Sequence, residues 1–344
     1  MKSKLPHVGT TIFSVMSAMA NECNAINLSQ GFPDFTPSEY LLDQLSFHAH
    51  SGKNQYAPMN GIPELRQAIA TLTQECYGRE INPDTEITLA SGATEALFVA
   101  IQAIVNPGDE VILLDPAYDS YAPAVTLAGG HCKHIALLPP SYQADWQQIE
   151  AAVSPKTRLI IVNSPHNPTA TVFNDGDWQA LANLAAKHDL FVISDEVYEH
   201  IVFDQDRNSA HRYPALRDRT FVISSFGKTF HATGWKLGYC IAPPALSAEF
   251  RKIHQFVTFT SFTPAQYAVA DMLNEHSDQV HGLGDFYRDK RECHANIALY
   301  YATQRRHLFC ASRLQRHQRQ KRRRLLRRAN PRTRRCRNSA VGIL

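Results

Sequence analysis

Residues 221–238 read FVISSFGKTFHATGWKLG. The stretch begins with an apolar run of strand length, and Lys228 follows where the predicted strand ends. A lysine amine becomes a nucleophile when its pKa falls, and it can then join a carbonyl cofactor as a Schiff base. Pyridoxal phosphate is such a cofactor, since Ser225 before the lysine and a second cation at Lys236 suit its phosphate. The alternative is an ordinary surface lysine after a strand.

Outward from this stretch, apolar runs of strand length alternate with helical stretches through the middle of the chain. The runs occupy residues 86–90, 110–114, 158–163, 190–194, 220–224 and 237–242. This alternation predicts an α/β fold, with a mostly parallel sheet and helices on both faces. Sheets of this kind bind ligands beyond the C-terminal ends of their strands, and polar residues follow five of these runs.

Three of these polar segments have candidate roles on a flat, phosphorylated ligand. Ala93 and Thr94 begin a predicted helix whose free N–H groups would hold a phosphate, although a simple helix N-cap has the same pattern. Tyr118 would stack on a heterocycle or pack within a turn. Asn167 would donate to a ring oxygen or form a turn before Pro168.

Asp195 follows four apolar residues, where a carboxylate is costly to bury unless a cation pairs with it. A protonated pyridine nitrogen is such a cation, and holding it charged makes the ring an electron sink. Tyr198 would then donate to the phenolate oxygen of the ring. The alternative for Asp195 is a helix-capping residue in the turn that ends at Tyr198.

These segments resemble the class I pyridoxal-phosphate aminotransferases of fold type I, and in particular the bacterial methionine aminotransferases and their kynurenine-aminotransferase relatives. Residues 27–35 (NLSQGFPDF) and 54–58 (NQYAP) carry the resemblance together with the Lys228 stretch. It runs from Thr10 to about Glu292. It implies an N-terminal arm and part of a small domain in residues 1–40, a large cofactor-binding domain in residues 41–285, and an incomplete C-terminal lobe in residues 286–344.

The resemblance also implies the roles around the cofactor ring. Lys228 would bind pyridoxal phosphate covalently and then move the substrate proton as general acid and base. Asp195 would pair with the pyridinium nitrogen, while Tyr198 and Asn167 would contact the phenolate oxygen. Tyr118 would stack on the ring.

The phosphate contacts follow in the same way from the resemblance. The amides of Ala93 and Thr94, the Ser225 hydroxyl and the Lys236 amine would hold the phosphate, with Lys236 where many relatives have arginine. Tyr56 would reach the phosphate of the partner subunit. The chain is therefore expected to be a homodimer with shared active sites.

The expected reaction transfers the amino group of an L-amino acid to a 2-oxo acid. The Gly31 amide and Asn167 would meet the substrate, and no metal is expected. The side chain of the amino acid is left open among methionine, glutamine and aromatic types. A rival within the same cofactor class is β-elimination on cysteine conjugates, because it uses the same residues.

The residues after Glu292 contain 15 Lys and Arg and no acidic residue, whereas residues 1–292 hold 32 acidic and 20 basic side chains, a net charge of −12. A one-base frameshift explains this, since arginine codons of the CGN type read one base later begin with G and encode Gly, Ala, Val, Asp or Glu. The carboxylate-binding arginine of the family is then missing, and activity is expected to be impaired. A non-functional product is one alternative. A nucleic-acid binder is another, but the acidic body lacks a basic stripe.

Composition excludes several further classes of protein. The apolar runs are well short of the ~18 residues of a membrane-spanning helix. The first 20 residues contain no continuous apolar region of a signal peptide, so a cytoplasmic protein is expected. The seven cysteines are odd in number and form no CxxC pair, which argues against a disulfide framework or zinc site and predicts reduced thiols.

Overall fold

The computed structural model describes residues 3–6, 8–25, 27, 33, 35–203 and 206–295. Within this part of the chain, seven strands form one sheet. The strands are β1 (Ile87–Ala90), β2 (Glu110–Asp115), β3 (His131–Ala136), β4 (Thr157–Asn163), β5 (Phe191–Asp195), β6 (Thr220–Ser225) and β7 (Gly238–Ile241). Their order across the sheet is β1-β7-β6-β5-β4-β2-β3.

The sheet is mostly parallel, as predicted from the sequence. Strands β3, β2, β4, β5 and β6 run parallel, and β7 is antiparallel to both of its neighbours, β6 and β1. Six of the strands match the apolar runs to within one residue at each end. The sequence missed β3, which reads HCKHIA and buries Ile135 alone among its six side chains, because it lies at the sheet edge and pairs only with β2.

The described residues also form the following helices. They are α1 (Ile12–Glu22), α2 (Glu39–His50), α3 (Pro63–Tyr77), α4 (Ala93–Ile104), α5 (Tyr121–Leu127), α6 (Trp146–Ala151), α7 (Asp175–Lys187), α8 (Pro214–Arg217), α9 (Phe226–Thr229), α10 (Pro244–Val257), α11 (Thr263–Glu275), α12 (Asp278–His281) and α13 (Leu283–Ala295). Two 3₁₀ turns, Ala210–Arg212 and Thr233–Trp235, flank β6 and its following loop.

Both faces of the sheet are covered by helices, which explains why successive residues in the middle of its central strands are apolar. In β2, Val111 and Leu113 pack into one core with α4, α5 and α10. Ile112 and Leu114 point the other way, into a second core with α6, α7 and α8. Each fully buried aliphatic side chain of this kind contributes about 1.5–3 kcal/mol to the free energy of unfolding.

Two further apolar clusters surround the β1 end of the sheet and the loop after β5. Helices α2, α3 and α11 pack on β1 and β7 around Leu89 and Tyr239. Leu283 and Tyr287 of α13 pack against Tyr198, which follows β5. Helix α13 thus covers one side of the segment that carries two of the predicted site residues.

The residues that carry the frameshift hypothesis fall largely outside the described part of the chain. Helix α13 ends at Ala295, and residues 296–344 lie beyond the described ranges. The proposed domain boundaries and the incomplete C-terminal lobe therefore stay predictions.

Three further expectations from the sequence concern membrane-spanning helices, metal sites and cysteines. None of the described helices is both long and apolar enough to cross a membrane. The described ranges contain no group of three or more His, Cys, Asp or Glu arranged to hold a metal ion. Cys76, Cys132 and Cys240 are free thiols. Cys23 is disulfide-bonded, so the prediction of reduced thiols is wrong for this residue.

Candidate active site

A cavity of about 350 Å³ opens at the C-terminal ends of β4, β5 and β6, beside the start of α4. The sequence predicted a ligand site at this edge. Nine of the predicted site residues line the cavity: Ala93, Thr94, Tyr118, Asn167, Asp195, Tyr198, Ser225, Lys228 and Lys236. Residues from five separate segments of the chain therefore meet around one space.

Lys228 lies in the short helix α9, directly after β6, and its amine faces the cavity. Burial lowers the pKa of Lys228, the positive charge of Lys236 lowers it further, and the charge of Asp195 opposes both. The lysine Nζ lies 5.4 Å from the centroid of the Tyr198 ring. A partly buried lysine with a lowered pKa keeps more of its amine unprotonated, as a nucleophile requires.

An anion site occupies one end of the cavity, where α4 begins. Gly92 is the N-cap residue of α4 and has φ 81°, a left-handed conformation that glycine adopts without strain. No side chain caps this helix, so no side-chain oxygen accepts from its first backbone N–H groups, which include those of Ala93 and Thr94. A Cβ added to Gly92 would lie 3.5 Å from the Lys236 Nζ, which places that amine beside the helix N-terminus.

This end of the cavity fits a phosphate group. Free backbone N–H groups and the helix dipole favour an anion at Ala93 and Thr94. The Ser225 side chain and the Lys236 amine line the same cavity and add a hydroxyl and a positive charge. Helix α7 shows the contrast, because there Asn174 and Asp177 form a capping box that occupies the helix N-terminus with side chains.

Asp195 ends β5 and is buried beside the cavity. Its Oδ2 accepts a hydrogen bond of 2.5 Å from the Tyr121 hydroxyl, and its Oδ1 accepts a longer one of 3.3 Å from the Val197 amide. Burial raises the pKa of Asp195 to about 6, against the opposing effects of Tyr121, the Val197 amide and Lys228. The Val197 contact is the turn bond that the capping alternative anticipated, but it is the weaker of the two.

Two polar residues that the sequence analysis overlooked hold the predicted ones in place. Asn163, the last residue of β4, donates to the Asp195 carbonyl oxygen at 2.7 Å, and its Oδ1 accepts from the Asn167 amide at 2.7 Å. Its position at the end of an apolar run was the signal that could have identified it. Tyr121 carried no comparable signal, because its contact to Asp195 joins residues 74 positions apart.

The aromatic residues form one wall of the cavity. Tyr118 meets Tyr121 edge-on, with ring centroids 5.7 Å apart, and its hydroxyl lies 3.4 Å from the Thr94 hydroxyl. Tyr198 is buried, and burial together with the charge of Asp195 raises its pKa well above the usual value. Its phenol therefore keeps its proton and can act as a hydrogen-bond donor. Phe13 of α1 also lines the cavity, although the sequence analysis assigned it no role.

Among the described residues, the predicted site residue Tyr56 does not line this cavity in the single chain. Tyr56 is 84% exposed and contacts Phe259 edge-on, with ring centroids 5.7 Å apart. Gly31 lies outside the described residues. The predicted roles of both residues stay predictions.

Comparisons with known proteins show the family to which the chain belongs. A sequence model of the family described as aminotransferase class I and II matches residues 24–331, which extends past Glu292. The methionine aminotransferase of Escherichia coli is 54% identical over 296 residues, which cover 86% of this chain and 77% of that protein. The kynurenine–oxoglutarate transaminase of Dictyostelium discoideum is 38% identical over 83% of this chain and 70% of that protein.

Solved structures show the same fold. A structure of an Escherichia coli protein with a methionine aminotransferase function superimposes with a TM-score of 0.83 over 86% of this chain and 78% of that one. The N-succinyldiaminopimelate aminotransferase of Mycobacterium tuberculosis gives the same TM-score at 39% identity, over 86% of this chain and 78% of that one. With this sheet, this cavity and these relatives, the chain belongs to the class I and II aminotransferases.

Proposed function

We propose that this aminotransferase binds pyridoxal phosphate in the cavity and moves the amino group of an L-amino acid to a 2-oxo acid. The observation that carries the proposal is the coexistence of three different groups in one cavity. These are the Lys228 amine with its lowered pKa, the buried Asp195 carboxylate, and the uncapped N-terminus of α4 beside Lys236. They match the aldehyde, the ring nitrogen and the phosphate of this one cofactor.

When bound, pyridoxal phosphate supplies a carbonyl for amines and a conjugated ring that withdraws electrons from the substrate Cα. The amides of Ala93 and Thr94, with Ser225 and Lys236, would hold the phosphate. Asp195 would keep a proton on the ring nitrogen, because a buried carboxylate stabilises a neighbouring cation.

Tyr118, Tyr198 and Asn167 fix the orientation of the ring. Tyr118 offers an aromatic face from the loop after β2, and the Tyr198 hydroxyl and Asn167 side chain offer hydrogen bonds to the ring oxygen. The Asn163 side chain holds both the Asn167 amide and the Asp195 carbonyl, so the two loops cannot move independently. Such fixed geometry lowers the barrier because reacting atoms are already aligned.

Lys228 would bind the cofactor through its amine, and it would become a free amine again once the amine of the substrate had taken its place. The free, neutral amine would then accept the proton from the substrate Cα, and the resulting ammonium would donate a proton back. The lowered pKa of Lys228 brings its two protonation states closer in free energy, which both directions of proton transfer require.

For the substrate, we propose an L-amino acid with an unbranched apolar side chain such as methionine. The Escherichia coli relative at 54% identity is a methionine aminotransferase. The apolar side chains of Phe13, Leu97 and Val197 also line the cavity. Kynurenine is the second candidate, since kynurenine–oxoglutarate transaminases share 36–40% identity with the chain.

The proposal is tested with the purified chain and added pyridoxal phosphate. We expect a visible absorbance band that borohydride abolishes, with the cofactor then attached to Lys228 in peptide mass spectra. Addition of L-methionine should convert the band and release the matching 2-oxo acid, and L-kynurenine should react more slowly. A chain that binds the cofactor but transfers no amino group from any amino acid would contradict the proposed reaction.

The rival β-elimination reaction is distinguished in the same assay. The relatives named above are aminotransferases, and nothing in the comparisons favours a lyase. With a cysteine conjugate as substrate, elimination releases the thiol of the conjugate together with pyruvate and ammonia, without any 2-oxo acid acceptor. We expect this release to be slow compared with amino transfer to an added 2-oxo acid.

We further propose that the protein is a homodimer and that Tyr56 contacts the phosphate bound by the partner subunit. Tyr56 is 84% exposed and does not line the cavity of its own chain. It lies against Phe259, and the exposed aromatic side chains of Phe256 and Phe262 belong to the same stretch of chain. Exposed apolar side chains grouped in this way are typical of a subunit interface.

Mixing two inactive variants tests the shared site. A hybrid of one Tyr56→Phe subunit and one Lys228→Ala subunit should contain one site with both residues intact and one with neither. We therefore expect activity to rise when the two variants are unfolded, mixed and refolded together. As a control, Lys228→Ala mixed with the Tyr56→Phe/Lys228→Ala double variant should stay inactive. No recovery despite hybrids proven by mass would show that each site is built within one chain.

A further inference from the structure

Tyr121 has no role in the reaction as described so far, yet it makes the shortest contact of Asp195. It is the first residue of α5 and is buried, with 3% of the residue exposed. Its hydroxyl donates to Asp195 Oδ2 at 2.5 Å, whereas the other hydrogen bond of that carboxylate, from the Val197 amide, is 3.3 Å long.

The tyrosine is the donor in this contact. Burial raises the pKa of Tyr121 well above the usual value, and the charge of Asp195 raises it further. The phenol therefore keeps its proton at neutral pH. A hydrogen bond from a neutral donor to a carboxylate stabilises the charged form of that carboxylate.

The Asp195 carboxylate depends on such help because it is buried. Burial alone favours its neutral form, and the Tyr121 hydrogen bond is the first of the effects that oppose burial, ahead of the Val197 amide and the Lys228 charge. The balance leaves the pKa of Asp195 at about 6, close below neutrality. The loss of one strong donor therefore brings the pKa of Asp195 close to physiological pH, where a substantial fraction of the group is neutral.

The position of Tyr121 is itself fixed by packing. Its ring belongs to the core between α4, α5 and the sheet, where it contacts Tyr118 edge-on. The hydroxyl thus approaches Asp195 from this core and donates its hydrogen bond to Oδ2. The carboxylate still lines the cavity.

We propose that Tyr121 is a positioning residue, which keeps Asp195 ionised and holds its carboxylate in the orientation that receives a cationic ring nitrogen. This inference rests on the proposed function, because it concerns the same cavity and the same cofactor. In this proposal, the charge state of Asp195 depends on Tyr121, a residue that need not touch either the cofactor or the substrate.

The test compares the dissociation constant of pyridoxal phosphate for the wild-type chain and Tyr121→Phe between pH 6 and pH 9. Loss of the hydroxyl is expected to move the apparent pKa of Asp195 upward by about one pH unit, since hydrogen bonds to charged groups are worth about that much. Below that pKa, a proton must leave Asp195 before it can pair with a cation. The ratio of variant to wild-type dissociation constants should therefore be about fivefold larger at pH 6 than at pH 9.

Two controls separate this effect from general damage. Tyr239→Phe removes another buried hydroxyl, which donates to Glu199 at 3.0 Å outside the cavity, and its ratio should not change with pH. In an Asp195→Asn background the carboxylate is gone, so adding Tyr121→Phe should leave the ratio independent of pH. This second comparison isolates the coupling between the two residues.

Different outcomes would contradict the proposed cofactor and the proposed role of Tyr121. A wild-type chain that binds no pyridoxal phosphate would overturn the proposed cofactor. A ratio that is constant from pH 6 to pH 9 would overturn the role of Tyr121 while leaving the cofactor in place. A pH-dependent ratio that persists in the Asp195→Asn background would also overturn it, since the effect would then not pass through Asp195.

Discussion

Replacing Lys228 by alanine is expected to lower the rate of amino transfer by about 10⁴-fold or more, the largest effect of any single substitution in the chain. The variant loses both the amine that bonds the cofactor and the base that takes the Cα proton. Stopped-flow absorbance of the half-reaction with L-methionine measures the rate. Borohydride followed by mass spectrometry measures the covalent bond, which should be absent.

Two lysines provide matched controls for this variant. Lys187→Ala removes an exposed amine on α7 that pairs with Glu150, and it should react like the wild type. Lys236→Ala removes the second amine of the cavity, and it should weaken cofactor binding yet retain the covalent bond. A borohydride-stable cofactor adduct in Lys228→Ala would show that another lysine carries the cofactor.

Replacing Asp195 by asparagine is expected to leave the cofactor bound but to raise the barrier for Cα–H cleavage by at least ~3 kcal/mol, the scale of one preorganised charge contact. A neutral amide cannot keep the ring nitrogen protonated, so the ring withdraws electrons poorly. The rate with L-methionine deuterated at Cα should show a larger isotope effect in the variant than in the wild type, because proton removal then limits the reaction.

The control for Asp195→Asn is Asp189→Asn, which changes an exposed carboxylate that pairs with Arg219 at the surface. It should leave the rate and the isotope effect unchanged. If Asp195→Asn turned over at nearly the wild-type rate, the assignment of Asp195 to the ring nitrogen would be wrong. A variant that no longer binds the cofactor would instead show that the carboxylate serves mainly for binding.

The sequence predicted the sheet well because its central strands are buried on both faces. Val111 to Leu114 of β2 alternate between two cores, so every position is apolar and the strand is visible as a continuous run. The edge strand β3 lacks that signal because one side of it faces solvent. Five consecutive polar segments after strands then predicted which residues would face one edge, and nine predicted site residues do line one cavity there.

The sequence by itself determined the fold class, the family and the segment that delivers Lys228, since these depend on local pattern and on the order of motifs along the chain. Only the tertiary structure decided the electrostatics of the cavity. The pKa of Lys228 is lowered mainly by burial and then by Lys236, and that of Asp195 is raised to about 6 by burial against a hydrogen bond from Tyr121. Such effects fall off within a few ångströms. They therefore depend on which side chains folding brings together, and spacing along the chain does not reveal that.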